Sequence, residues 1–133
     1  MRHVVVVEDD AVNARLFRMV LERRGGWKVT VTESAEELFA LARSGQVSAV
    51  VLDVSLHNTT WQGHSVNGID LSRMLKDDPA TAGIPVLLAT AHAMRGDEER
   101  FLGESGADDY VSKPVIDHDA FVAQVRRWVE EAA

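Results

Sequence analysis

Three short stretches of the chain contain only apolar residues, at positions 4–7, 49–52 and 86–89. Each is too short for a helix and shows no polar alternation, which is typical of strands buried on both faces of a parallel sheet. A weaker apolar pair at Tyr110 and Val111, and a segment of alternating Val and Thr at residues 28–32, predict two more strands. We therefore expect a parallel sheet of five strands.

Helical patterns separate these strands. Apolar residues at helical spacing begin at Val12 and end before Gly25, and Ser34 with Glu37 has the spacing of a capping box at the start of a second helix. Further segments with helical character cover residues 69–75, 97–102 and 121–129. Strand and helix thus alternate five times, which predicts a doubly wound α/β fold with helices on both faces of the sheet.

Length and charge limit what such a chain does. Its 133 residues suffice for one domain with its own core, which we expect to span residues 1–133. The net charge of −7 argues against direct binding to nucleic acid or to an anionic membrane, and the lack of cysteine excludes disulfides and thiol catalysis. Neither a signal peptide nor a membrane helix is recognisable, so we expect a cytoplasmic protein.

Acidic, hydroxyl and amine side chains follow the predicted strands. They are Glu8, Asp9 and Asp10 after the first strand, Asp53 after the third, Thr90 after the fourth, and Lys113 with Pro114 after the fifth. Ligands bind beyond the carboxyl ends of the strands in such sheets, so these groups should meet at one edge. Clustered carboxylates suit Mg²⁺, and together with a hydroxyl and an ammonium group they indicate phosphoryl transfer. No glycine-rich nucleotide-binding loop follows the first strand.

The segments VVVVEDDAVNARL, VVLDVSL, VLLATAHAM and GADDYVSKP closely resemble the receiver domains of two-component response regulators. The match spans nearly the whole chain, and its site residues occur in the order found in that family. The resemblance implies a stand-alone, chemotaxis-receiver-like domain with the flavodoxin-like (βα)5 fold and the strand order 2-1-3-4-5.

The resemblance assigns the acidic residues to phosphoryl and metal chemistry. Asp53 would be the phosphoacceptor and one ligand of Mg²⁺. Asp9 would bind the ion directly, Glu8 through water, and Ser55 through its backbone carbonyl. If the first strand ends one residue later, Asp9 and Asp10 become the acidic pair instead.

The remaining assignments concern phosphate recognition and switching. Thr90 would donate its hydroxyl, and Ala91 its backbone N–H, to phosphoryl oxygens, while Lys113 would neutralise phosphate charge. Family members hold the Lys113–Pro114 peptide bond in the cis form. Tyr110 matches the switch aromatic, whose ring turns inward when Thr90 moves toward the phosphoryl group.

The loop after the third strand departs from the family pattern. Gly68 lies 15 positions after Asp53, farther than receivers usually place the corresponding glycine, and the extra segment reads TTWQGHSV. The insertion either acts on the site, by gating phosphodonors or contacting a kinase, or is merely tolerated. A second metal site formed by His57 and His64 is a further interpretation.

The resemblance also implies partners. A histidine kinase or histidine phosphotransfer protein would donate the phosphoryl group, and an unidentified downstream protein would receive the signal, with a homodimer through the fourth and fifth helices as an option. The domain would be no enzyme beyond self-catalysed phosphotransfer and dephosphorylation. Two alternatives are a receiver excised from a larger regulator or hybrid kinase, and a Mg²⁺-dependent phosphohydrolase using Asp53. A phosphorylation-independent binding module is a third.

Overall fold

The computed structural model describes residues 2–91, 97–113 and 115–131. In chain order the elements are β1 (His3–Val7), α1 (Ala11–Arg23), β2 (Lys28–Thr32), α2 (Ala35–Arg43), β3 (Ala49–Asp53), β4 (Thr60–Trp61), β5 (His64–Ser65), α3 (Gly68–Asp77), β6 (Val86–Thr90), α4 (Asp97–Ser105), β7 (Asp109–Ser112) and α5 (His118–Glu131). Among these residues, no helix is long and apolar enough to cross a membrane.

Five parallel strands form the main sheet in the order β2-β1-β3-β6-β7. Without the two short strands β4 and β5, this is the predicted order 2-1-3-4-5, and the flavodoxin-like fold is confirmed. The central strands β1, β3 and β6 are buried along their whole length, as their unbroken apolar sequences predict. The outer strands β2 and β7 are partly exposed, which explains their weaker apolar pattern.

The sheet separates two hydrophobic clusters because successive strand residues point to opposite faces. Val4 and Val6 contribute to the cluster beneath α1 and α5, whereas Val5 and Val7 contribute to the cluster beneath α2, α3 and α4. All four valines are completely buried. Burying a valine side chain contributes roughly 1.5–3 kcal/mol, so β1 alone supplies a large share of the core.

Side-chain caps fix where the helices begin. The Asp10 carboxylate accepts hydrogen bonds from the N–H groups of Val12 and Asn13, which satisfies free donors at the start of α1. The Ser34 hydroxyl caps α2 by accepting a hydrogen bond from the N–H of Glu37 at 3.1 Å. The backbone N–H of Ser34 donates to Thr32 Oγ1. Ser34 therefore caps the helix as predicted, but the second hydrogen bond of the predicted capping box is replaced by the bond to Thr32.

The segment between β3 and α3 is more regular than expected. It contains an antiparallel hairpin of β4 and β5, turned by Gln62 and Gly63 at φ of 51° and 83°. The Trp61 ring packs edge-on against Phe39 of α2, with 4.7 Å between ring centroids. The buried hydroxyl of Thr59 donates to the backbone carbonyl of Glu33 at 2.9 Å. The insertion is thus a hairpin that packs against α2.

Candidate functional site

Three carboxylates meet at the carboxyl edge of the sheet. Glu8 and Asp9 follow β1, and Asp53 is the last residue of β3, the neighbouring strand. One oxygen from each lies within 4.8 Å of the others. Glu8 and Asp53 are 3% and 4% exposed, so their mutual repulsion is poorly screened by water.

Lys113 brings an opposite charge into this cluster from the turn after β7. Its Nζ lies 3.0 Å from Glu8 Oε1 and 3.1 Å from Asp53 Oδ1. Its backbone N–H donates to the carbonyl of Thr90 at 2.8 Å, which ties the turn to the end of β6. The Lys113 side chain is 9% exposed, and its ammonium group bridges two carboxylates in a nearly dry site.

The pKa values of these groups are shifted because two buried carboxylates share one ammonium group. Burial, followed by the hydrogen bond to Asp53, raises the pKa of Glu8 to about 8 despite Lys113. Burial opposes ionisation of Asp53 as well, but hydrogen bonds from Glu8 and Lys113 hold its pKa below the usual value. Burial also opposes the charge of Lys113, yet its two carboxylate partners raise its pKa. The single ammonium group of Lys113 therefore does not neutralise the carboxylates of the acidic cluster.

Asp53 is held in place by local backbone geometry. Its Oδ1 accepts a hydrogen bond from the N–H of Ser55 at 3.1 Å, in addition to its contact with Lys113. The N–H of Val54 donates to the carbonyl of Ala89 at 2.9 Å, so the chain stays in sheet register just beyond Asp53. The carboxylate is therefore oriented before any ligand arrives.

Asp9 and Asp10 have different surroundings. Asp9 belongs to the acidic cluster, and its Oδ2 accepts from the backbone N–H of His57 at 2.6 Å. Asp10 caps α1 instead. The geometry thus brings Glu8 and Asp9 to Asp53, and it reveals a link to His57 that sequence reasoning missed. No local pattern signals that link, because 48 positions separate the two residues.

Gly68 packs directly against the backbone of the Asp53 segment. A Cβ atom there would lie 2.2 Å from the carbonyl oxygen of Asp53, and the Gly68 N–H donates to the carbonyl of Val54 at 3.2 Å. The chain thus leaves β3, forms the hairpin and returns to Asp53. Sequence reasoning identified Gly68 as the family glycine but did not identify this contact, which only a residue without a side chain permits.

Thr90 and Tyr110 lie on neighbouring strands at different distances from the edge. Thr90 is completely buried at the end of β6 beside Ser112, and Ala91 follows it on the surface. Tyr110 precedes Ser112 by two residues, so it faces the same side of the sheet. Its ring stacks on Phe101 of α4, with centroids 6.5 Å apart.

Two further expectations concern Pro114 and the histidines of the loop between β3 and α3. Pro114, and with it the cis form of the Lys113–Pro114 bond, lies outside the described residues. Within residues 2–91, 97–113 and 115–131, the only group of three or more potential metal ligands consists of Glu8, Asp9 and Asp53. His57 and His64 are exposed and lie outside that group.

The family follows from comparison with known proteins. The model of the response regulator receiver domain matches residues 4–126. The chain belongs to this family. It is therefore a receiver domain of the signalling type rather than a classical enzyme.

The similarity of this receiver domain to its relatives covers almost its whole length. The polar-differentiation response regulator DivK of Brucella ovis is 34% identical over 131 residues, which are 98% of each chain. Two solved structures share the fold. The receiver domain of a Pseudomonas aeruginosa sensor histidine kinase, with a magnesium ion coordinated in its active site cleft, is 24% identical at a TM-score of 0.79 and covers 97% of this chain and 98% of its own. The receiver domain of the Francisella response regulator 1452 is 21% identical at a TM-score of 0.81 and covers both chains completely.

Proposed function

We propose that this receiver domain accepts a phosphoryl group on Asp53 from a phosphohistidine and passes the signal on by changing its contacts with another protein. The observation that supports this most directly is the buried Asp53 carboxylate, which lies 3.1 Å from the Lys113 ammonium and within an acidic cluster. A nucleophile, a cation for phosphate charge and a set of metal ligands are thereby combined in one site.

The transfer itself is a displacement at phosphorus. A carboxylate oxygen of Asp53 attacks, a new O–P bond forms, and the P–N bond of the phosphohistidine breaks. The electron pair of the broken bond leaves on the imidazole nitrogen, which takes a proton, and the product is an acyl phosphate on Asp53. The same site would hydrolyse it when water attacks the phosphorus, so both reactions are self-catalysed and need no separate active site.

The donors around Asp53 would stabilise the charge of the transferred group. Lys113 would move its ion pair from the Asp53 carboxylate to a phosphoryl oxygen, because it already lies at contact distance. Thr90 is the last residue of the adjacent strand β6 and Ala91 follows it; the Thr90 hydroxyl and the Ala91 N–H would donate to the other oxygens. Preorganised donors of this kind stabilise developing charge at little reorganisation cost.

The donor set fits Mg²⁺. Three carboxylate oxygens lie within 4.8 Å of one another, and the buried Glu8 Oε2 has no hydrogen-bond partner in the described part of the chain. Such hard oxygen ligands with an unsatisfied buried charge are suited to a divalent cation. Asp9 and Asp53 would hold the ion directly, Glu8 through water, and Ser55 through its carbonyl. When bound, the ion supplies positive charge that offsets the acids and the incoming phosphoryl oxygens.

The signal would arise from a local change of charge that shifts a two-state element. Phosphorylation would draw Thr90 toward the new phosphoryl group, and the Tyr110 ring would turn from its stack on Phe101 into the space behind Thr90. The surface of α4, β7 and α5 would then change its affinity for a downstream protein. The phosphodonor would be a histidine kinase or a histidine phosphotransfer protein, as is general for receiver domains.

Intact mass spectrometry tests the acceptor. Wild type, Asp53→Asn and Asp10→Asn would be incubated with acetyl phosphate, with Mg²⁺ or with EDTA. We expect one phosphoryl adduct that requires Mg²⁺, disappears in Asp53→Asn and persists in Asp10→Asn, because Asp10 caps a helix outside the cluster. An adduct on Asp53→Asn, or an adduct of wild type that forms equally well in EDTA, would contradict the assignment.

A further inference from the structure

A cavity lies at the edge of the sheet opposite the acidic cluster, where the strands begin. Its volume is about 670 Å³, within the range of roughly 300–1,000 Å³ typical of small-molecule sites. It is bounded by the start of β1 and β2 and by the turns that precede β3 and β6. The length of β1, about 17 Å for five residues, separates it from the acidic cluster. The phosphoryl chemistry proposed above therefore does not involve it.

Two basic side chains line this cavity. The N–H of Lys28 donates to the carbonyl of Arg2 at 2.9 Å, which holds the two residues side by side at the ends of neighbouring strands. Among the described residues that line the cavity, none is acidic. In the described ranges neither side chain takes part in an ion pair, although the chain carries a net charge of −7. Both side chains are exposed, so an anion that enters the cavity meets their positive charge.

The buried His3 also lines the cavity, and the positive charge of Lys28 affects its pKa. Its Nε2 lies 2.7 Å from the Thr30 hydroxyl. Burial, and then the charge of Lys28, hold the pKa of this imidazole below its usual value. The ring is therefore a neutral group, and Arg2 and Lys28 supply the charge of the cavity.

The rest of the lining combines apolar surface with neutral polar groups. Val47, Pro85 and Val129 are buried and form its apolar part. The Gln46 amide and the Ser48 hydroxyl also line it, and neither group makes a hydrogen bond to another side chain or backbone group described in the structure. A ligand would thus find cationic, apolar and hydrogen-bonding surface in one cavity.

We propose that this cavity binds a small organic phosphate, with the phosphate on Arg2 and Lys28 and the organic part against Val47 and Pro85. The planar guanidinium of Arg2 suits bidentate contact with phosphate oxygens, and the ammonium of Lys28 adds a second charge. The available volume exceeds what inorganic phosphate alone would fill. The Gln46 amide and the Ser48 hydroxyl would bind polar groups of the organic part.

NMR titration of the ¹⁵N-labelled chain tests this proposal, with AMP as the phosphate probe and adenosine as its uncharged counterpart, both without Mg²⁺. We expect AMP to shift the amide signals of Gln46 and Ser48 saturably and adenosine to leave them at least tenfold less affected. The Ser55 amide reports on the acidic cluster and should stay unchanged. The double variant Arg2→Gln/Lys28→Gln should lose the AMP response.

A matched double variant, Arg18→Gln/Arg23→Gln, removes two exposed positive charges from α1 outside the cavity and should respond to AMP like wild type. Thermal unfolding of both variants verifies that they fold. Equal shifts with AMP and adenosine, equal loss in both double variants, or shifts confined to Ser55 would each overturn the proposal. Succinate shifting Gln46 and Ser48 as strongly as AMP would overturn the phosphate assignment.

Discussion

Glu8 and Lys113, which are 105 positions apart in the chain, form a buried ion pair with 3.0 Å between Oε1 and Nζ. The same ammonium serves Asp53 at 3.1 Å, so each carboxylate receives only part of its charge. The other oxygen of Glu8 is buried with no hydrogen-bond partner among the described residues. Burying these carboxylates with only one ammonium group therefore costs free energy in the folded domain, and binding of a proton or a cation lowers that cost.

The stability of the metal-free domain should therefore fall as the pH rises from about 6.5 to about 8, a window that lies above the lowered pKa of His3, whose titration has the opposite effect on stability. Glu8 has a pKa of about 8 in the folded chain and an ordinary value of 4.5 otherwise, so the folded state binds more protons in this window. Stability is greatest at the low end and is lost as Glu8 ionises. The measurement is urea unfolding in EDTA across this range.

The variant Glu8→Gln removes the titrating group and should flatten that dependence. The control Glu36→Gln changes an exposed acid at the start of α2 and should keep the wild-type slope. A wild-type domain whose stability rises between pH 6.5 and pH 8 would refute the assignment of the shift to Glu8.

Gly68→Ala should destabilise the domain by about 1–3 kcal/mol, which is typical when a side chain is forced into packed structure. The new Cβ would lie 2.2 Å from the backbone oxygen of Asp53, and backbone at the end of a buried strand has little room to move. Chemical denaturation measures the loss. In Gly103→Ala, within α4, the new Cβ would meet open space beyond its own helix in the described part of the chain, and we expect a gain of roughly 0.5–1 kcal/mol. Equal stability of the two variants would contradict the close contact at Gly68.

Trp61→Ala tests whether the insertion acts on the metal site or is only tolerated. Removing the ring deletes its packing on Phe39, which holds the hairpin against α2. Aromatic pairs contribute roughly 0.5–1.5 kcal/mol beyond the area they bury. The N–H of His57, at the base of this hairpin, would then orient Asp9 less firmly.

We expect Trp61→Ala to weaken Mg²⁺ binding about threefold to tenfold, a loss of about 0.7–1.4 kcal/mol, as measured by isothermal titration calorimetry. Thr60→Ala changes an exposed side chain of the same hairpin and should bind Mg²⁺ like wild type. Unchanged Mg²⁺ affinity in a folded Trp61→Ala variant would indicate that the insertion is simply tolerated at this position.

Sequence patterns predicted the sheet well because the central strands are apolar on both faces and their polar ends coincide with one edge. They assigned the acidic pair to Glu8 and Asp9 but kept Asp9 and Asp10 as the alternative pair, since the choice depends on where β1 ends and on the cap that Asp10 provides to α1. The hairpin escaped prediction because its strands are two residues long and its turn uses a non-glycine residue, Gln62, at positive φ. The contact of Gly68 with Asp53 depends on tertiary packing that spacing does not encode.

Tyr110 offers a direct test of the proposed switch because it is the only tyrosine of the chain. Its ring signals in a tyrosine-labelled sample are therefore assigned without ambiguity. In the structure the ring stacks on Phe101 at a centroid distance of 6.5 Å and an interplanar angle of 20°. We expect acetyl phosphate and Mg²⁺ to shift these signals in wild type, since the ring would leave the ring current of Phe101.

In Thr90→Ala the phosphoryl adduct should still form at measurable levels while the shift is reduced at least twofold. Thr60→Ala is the matched control and should behave like wild type. Tyrosine signals that stay constant in the phosphorylated wild type, or that shift fully in Thr90→Ala, would show that Thr90 and Tyr110 are not coupled and that the signal reaches partners by another route.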